Sequence, residues 1–96
     1  YLPLDNIADR FENNIQGFHN SGKVLGGLLA EYGDASIRLF PFPRIPVVII
    51  LWAGDDEFPS TSSLLFDSSC TSHMAVDILW ATAMMTIEMM VIKKPD

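Results

Sequence analysis

The chain predicts an α+β fold: an amphipathic N-terminal helix, a short hairpin-like sheet around one buried central strand, and an apolar C-terminal helix packed on it. Three observations lead there. Leu4, Ile7, Ala8, Phe11, Ile15 and Phe18 recur at spacings of 3, 1, 3, 4 and 3, the period of a helix with one apolar face. Ile45–Trp52 reads Ile-Pro-Val-Val-Ile-Ile-Leu-Trp, a β-branched apolar run of the kind found in strands buried on both faces. From His73 to Ile92 the chain is apolar nearly all round a helix, the pattern of a helix covered on most sides.

The first helix is expected from Pro3 to His19. Proline suits the first turn, and Asp5, Asp9, Arg10, Glu12 and Asn13 occupy the polar face. Asn20-Ser21-Gly22 ends it, with His19 as a solvated cap. Val24–Tyr32 reads two ways. Val24, Leu25, Leu28 and Leu29 have helical spacing, but Gly26-Gly27 lies inside. Each glycine weakens a helix by about 1 kcal/mol relative to alanine while permitting close backbone approach, so a short helix or a turn is expected. Gly33-Asp34 is a turn signal. Ser36–Phe40 reads as a strand that Pro41-Phe42-Pro43-Arg44 breaks, since proline cannot donate to a ladder. Pro46 must then lie at the start of the central strand.

Gly54–Pro59 is polar and turn-like, and Ser60–Ser63 is a hydroxyl-rich connector. Ser63–Asp67 reads equally as a short strand, with Leu64 and Phe66 on one side, or as a helical turn. Ser68–Ser72 supplies N-cap candidates for the last helix. That helix carries His73, Asp77 and Glu88 on one narrow stripe and five methionines: Met74, Met84, Met85, Met89 and Met90.

The 96 residues make one domain, 1–96, and the composition suggests part of a larger one. Apolar residues make up 49% and charged residues 19%, whereas a lone small domain needs more polar surface to cover itself. A first residue of Tyr1 rather than Met fits a fragment or a processed chain. The net charge of −6 is concentrated: between Arg44 and Lys93 there is no Lys or Arg, but there are Asp55, Asp56, Glu57, Asp67, Asp77 and Glu88. An acidic half repels phosphate backbones and anionic lipid surfaces, which argues against nucleic acid and membrane as partners. Cys70 is the single cysteine, so no disulfide framework is available and a reducing, cytoplasmic setting is expected. One thiol builds neither a cysteine metal site nor an iron–sulfur cluster. No signal peptide is visible. Met74–Ile92 is long enough to span a bilayer, but Asp77 and Glu88 make a buried or interface helix the better reading.

Several residues are candidates for chemistry. Asp55 and Glu57 follow the C-terminal end of the central strand, and ligands in mixed folds often bind near strand ends. With Asp67 returning to the same edge, they form a candidate oxygen site for Mg²⁺ or Ca²⁺ or an acid/base pair. The competing reading is that Asp55 and Glu57 cap the turn, hold backbone N–H groups or pair with Arg44. Arg44, between two prolines, suits a carboxylate or phosphate clamp or an internal ion pair with Asp55 or Asp67. His73 and Asp77 are one helical turn apart, fit either to orient an imidazole or to place an acid at a helix N-terminus. Cys70 and His73 are three apart, without a third member or an oxyanion hole. Trp52 and Trp80 offer stacking surfaces for a flat cofactor, or plain core and interface aromatics. No phosphate loop, dinucleotide fingerprint or zinc motif is present.

Gly26-Gly27, Gly33-Asp34, Pro43-Arg44-Ile45-Pro46, Trp52-Ala53-Gly54-Asp55-Asp56-Glu57-Phe58-Pro59 and Leu65-Phe66-Asp67 occur in that order. This series resembles the C-terminal half of domain-of-unknown-function family 3786, from anaerobic bacteria and archaea, over roughly Pro3 to Leu79. The resemblance implies a full domain about twice this length, with an N-terminal half missing here. Some relatives resemble fusions to a four-cysteine iron–sulfur segment like that of corrinoid iron–sulfur proteins, which implies a link to anaerobic one-carbon metabolism. No catalytic residue carries over.

The expectation is therefore a non-enzymatic accessory or binding module of unknown ligand. Its partner would be another protein, the missing half of its own domain or a second copy, reached through the apolar, methionine-rich helix, whose soft side chains repack readily. The ligand-binding or partner-binding candidates are Arg44, Trp52, Asp55, Glu57 and Asp67. No cofactor is encoded by this segment. The alternative is a small metal-dependent or acid/base enzyme using Asp55, Glu57 and Asp67.

Overall fold

The computed structural model describes residues 4–42, 45–66 and 76–92. Among them the elements run α1 (Leu4–Phe11), α2 (Ile15–Val24), β1 (Leu28–Leu29), β2 (Ala35–Phe42), β3 (Ile45–Trp52), β4 (Thr61–Phe66) and α3 (Val76–Ile92). The fold is α+β. The strands form one sheet in the order β1-β2-β3-β4, each antiparallel to its neighbour. The helices share one face of it: α1 lies over β4, α2 over β2, and α3 contacts both α1 and β2.

The central strand forms where its β-branched run predicts. Val47, Ile49 and Leu51 point into the helical layer and are wholly buried, as are Ile37 on β2, Ile7, Phe18 and Met90. Strand alternation sends Val48 and Ile50 to the opposite face, and they too are buried. On that outer face Val48 lies between Arg38 and Leu65, and Ile50 between Ser36 and Ser63. The loop before β2 folds over the Ile50 end. The Ser36 hydroxyl accepts the Tyr32 N–H at 2.9 Å, and a side chain on Gly33 would place its Cβ 2.6 Å from Ile50 Cγ2.

The N-terminal helix differs from expectation: it is two helices. Glu12 takes a left-handed φ of 49°, and Asn14 caps the second helix by accepting the Gly17 N–H on Oδ1 at 3.0 Å. Asn13-Asn14 therefore acts as a stop and restart rather than as polar face. The bend sets the Phe11 and Phe18 rings edge to face with centroids 5.5 Å apart, a favourable aromatic geometry. The second helix also runs past Asn20-Ser21-Gly22, leaving His19 inside it and half-buried. Gly22 gives α2 its close approach to β2, since a Cβ there would collide with Ile37 Cγ1.

Gly26-Gly27 closes α2 instead of interrupting a later helix. Gly26 has φ 82°; its N–H donates to the Lys23 carbonyl at 2.9 Å, and the Gly27 N–H donates to the Gly22 carbonyl at 2.8 Å. This is a Schellman closure, which requires a left-handed residue just past the helix end. Leu28-Leu29 then forms an edge strand on β2 rather than a helix or turn.

Two sheet boundaries also shift. Strand β2 continues through Pro41 to Phe42, because the ladder to β3 is irregular between Leu39 and Phe42 and the missing proline N–H falls in that gap. Strand β4 begins at Thr61, inside the expected connector. The serines there dock α1: Ser60 Oγ donates to the Ala8 carbonyl at 3.2 Å, and Ser62 Oγ donates to the Leu4 carbonyl.

Helix α3 is helical as expected but not covered on most sides. Thr82, Ala83, Thr86, Ile87 and Met90 are buried, while Ile78, Trp80 and Met89 are 51%, 49% and 40% exposed. Its buried threonines are satisfied within the helix, Thr82 Oγ1 donating to the Ile78 carbonyl and Thr86 Oγ1 to the Thr82 carbonyl, both at 2.7 Å. Among the described residues no helix is long and apolar enough to cross a membrane.

Candidate functional site

The turn after β3 is built from backbone donors and side-chain acceptors. As the strand ends at Trp52, the Ala53 N–H donates to Asp34 Oδ2 and the Gly54 N–H to Asn13 Oδ1, each at 2.7 Å. Asp34 comes from the loop before β2 and Asn13 from the joint between α1 and α2, so two distant segments hold this strand end. Asp55 then closes the turn on itself. Its N–H donates to the Phe58 carbonyl at 2.8 Å, and its Oδ1 accepts the Glu57 and Phe58 N–H groups, both at 2.8 Å. The Phe58 and Glu57 N–H groups, in that order of effect, hold the Asp55 carboxyl below its ordinary value, because hydrogen bonds to the charged form favour it.

One Asp55 oxygen is thus committed to the turn. Asp56 and Glu57 are exposed. Gly54 gives the crossing room: a Cβ there would lie 2.5 Å from the Ser60 N. An open groove of about 260 Å³ runs alongside, lined by Asp9, Glu12, Asn13, Asp55, Phe58 and Ser60 among others. Asp9 and Glu12 did not stand out in the sequence as companions of Asp55, because 43 or more residues separate each from it and only the packing of α1 near β4 makes them neighbours. Among the described residues no group of three or more His, Cys, Asp or Glu is placed to hold a metal ion. Arg44, Asp67, Cys70 and His73 lie outside the described residues, so the pairings drawn for Arg44 with Asp55 or Asp67, for His73 with Asp77, and for Cys70 with His73 lie there too.

Trp52 and Trp80 do not share a platform. Trp52 ends β3 on the outer sheet face, 45% exposed, while Trp80 is on α3 in the helical layer across the sheet. The outer sheet face shows Leu28, Trp52 and Leu65, with a groove of about 240 Å³ lined by Tyr32, Arg38, Pro46, Val48, Leu65 and Phe66. On α3 the stripe facing away from the core carries Asp77, Ala81 and Glu88, with Ile78 and Met89 exposed on one flank of it and Trp80 on the other. Periodicity announced the apolar helix; it did not say which residues would stay exposed.

No curated protein and no solved structure matches the chain. The sequence profile of a family described as a domain of unknown function (DUF3786) matches residues 3–89. That match takes in both N-terminal helices, the whole sheet, the acidic turn and most of α3, and the chain belongs to this family.

Proposed function

We propose that the chain is a non-enzymatic accessory or binding module that docks on another protein, or on the remaining half of a larger domain, through the exposed side chains of α3. One observation carries this reading: α3 leaves large apolar side chains exposed on both flanks of its buried stripe, Ile78 and Met89 on one and Trp80 on the other. Large apolar side chains left in water favour association, and a methionine-rich helix adapts to partners. The acidic turn serves this module as structure, since Asp55 spends one oxygen on the backbone of its own loop.

The test is the partner-free chain in dilute solution. It is expected to bind a dye that fluoresces on apolar surface, and the double variant Ile78→Glu, Trp80→Glu is expected to lose most of that signal while keeping its circular dichroism. A wild-type chain that stays monomeric and binds no dye counts against the reading.

A second reading, a small metal-dependent or acid/base enzyme using Asp55, Glu57 and Asp67, draws some support from Asp9 and Glu12 lining the same groove as Asp55. A melting scan with Mg²⁺, Mn²⁺ and Ca²⁺ tests it; an unmoved midpoint in every case, for wild type and Asp55→Asn alike, sinks it. The wider setting we propose, as the C-terminal half of a domain in anaerobic one-carbon metabolism with corrinoid chemistry on a partner, rests on family resemblance. Titration with cobalamin followed by absorbance decides whether this chain itself takes part.

A further inference from the structure

The two edges of the sheet are not alike. At one edge, β1 is two residues long, and beyond it β2 carries Pro41 within a ladder irregularity. Shortness, proline and broken register are the devices that stop a sheet edge from pairing with another chain. The other edge has none of them. Strand β4 reads Thr-Ser-Ser-Leu-Leu-Phe, without proline, lysine or any charge, and keeps regular register with β3 through six consecutive pairs. Among the described residues no strand pairs with its outer side.

The core differs between these sides as well. On β2, Ile37 and Leu39 are buried with only the short β1 beyond them. On β4, Leu64 and Phe66 pack against the core but remain partly exposed.

We propose that β4 pairs antiparallel with β4 of a second copy, about a two-fold axis normal to the sheet, to give a dimer with one continuous eight-stranded sheet. A second copy is the occupant the strand itself fits. When a residue meets its own copy across such an axis, Ser62, Leu64 and Phe66 of both strands stay on the helical face and Thr61, Ser63 and Leu65 on the outer face, as strand alternation requires. Leu64 and Phe66 of one copy then cover those of the other. The seam holds no charge, although the chain carries −6 overall. Antiparallel pairing also places the two acidic turns, each just ahead of Thr61, at opposite ends of the seam. A six-residue strand is about 20 Å long, well beyond the screening distance of about 8 Å at physiological salt; parallel pairing would set the turns side by side. The contact lies in the plane of the sheet and leaves the exposed side chains of α3 free, so it stands apart from the docking role given to that helix.

Sedimentation over a range of concentrations tests the pairing, together with hydrogen exchange on the wild-type chain. The expected results are a monomer–dimer equilibrium, slower exchange of β4 amides as concentration rises, and dissociation strengthened about tenfold or more in Ser63→Lys, which puts a charge on the edge. Trp80→Glu is expected to leave the dimer intact. A chain that is monomeric throughout overturns the proposal. So does a dimer that Ser63→Lys leaves unchanged, one that Trp80→Glu abolishes, or one whose concentration-dependent protection falls outside β4.

Discussion

The α1–α2 pair and α3 lie on the same face of the same sheet, yet they meet solvent in opposite ways. Ile7, Phe11 and Phe18 are buried, and the outward side of α1 shows Asp5, Asn6 and Asp9. Helix α3 buries Ile87 and Met90 and shows Ile78, Trp80 and Met89. The first arrangement is finished as it stands: apolar area is removed from water and polar groups remain in it. The second leaves Ile78, Trp80 and Met89 about half in water. The excess of apolar side chain on the last helix is the ground on which the docking role is proposed for it.

The largest expected effect breaks the comparison at its buried end. Phe11→Ala removes a ring that is 2% exposed and packed edge to face on Phe18, at a cost of about 3–5 kcal/mol, read by chemical denaturation. A smaller effect follows at the seat of α2. Gly22→Ala drives a methyl into Ile37 and should cost about 1–3 kcal/mol, which checks that this interface has no spare volume. Both losses belong to the finished side of the helical layer.

The acidic turn responds to pH. The Asp55 carboxyl is held low in the folded chain by the Phe58 and Glu57 N–H groups. Its contribution is therefore present above the ordinary aspartate value, about 3.9, and is lost as pH falls through the lowered folded value. Asp55→Ala should melt below wild type at neutral pH, and the gap should close in acid below that ordinary value. A gap that persists unchanged in strong acid means the turn does not use the charge. At the small end, Trp80→Gln in the isolated chain should cost about 1–2 kcal/mol, since half of the ring is already in water. A loss of several kcal/mol there would show that Trp80 belongs to the fold and erase the contrast between the two helical regions.

Much of the fold was legible because its signals are local. Ile45–Trp52 is a strand with the bounds its β-branched run implies, and Leu4, Ile7, Ala8, Phe11, Ile15 and Phe18 do line one layer. The break at Glu12 was hidden because one apolar period runs across both helices; the signal that marks it is Asn14, a cap residue inside the period. Gly26-Gly27 looked like an interruption, but glycine just past a helix is also the mark of a Schellman closure. Ser60 and Ser62, at the start of β4, read as a connector because hydroxyls are common in loops, and their acceptors, the Ala8 and Leu4 carbonyls, are more than fifty residues away.

The same division runs through the candidate site. Asp55, two and three residues ahead of the N–H groups it binds, is a local feature, and its reading as a turn cap could be made from the sequence. Asn13 and Asp34 could not be linked to the turn that way, because each reaches it only after the chain has crossed the sheet. The sequence by itself determined the α+β class, the buried strand, the apolar last helix and the place of the acidic turn, since each depends on side-chain period or on neighbours a few residues apart. Tertiary structure alone decided which residues of α3 stay exposed, that Trp52 and Trp80 lie on opposite sides of the sheet, and that β4 ends the sheet among the described residues. Those are properties of which surfaces meet, and no stretch of sequence contains both sides of a contact.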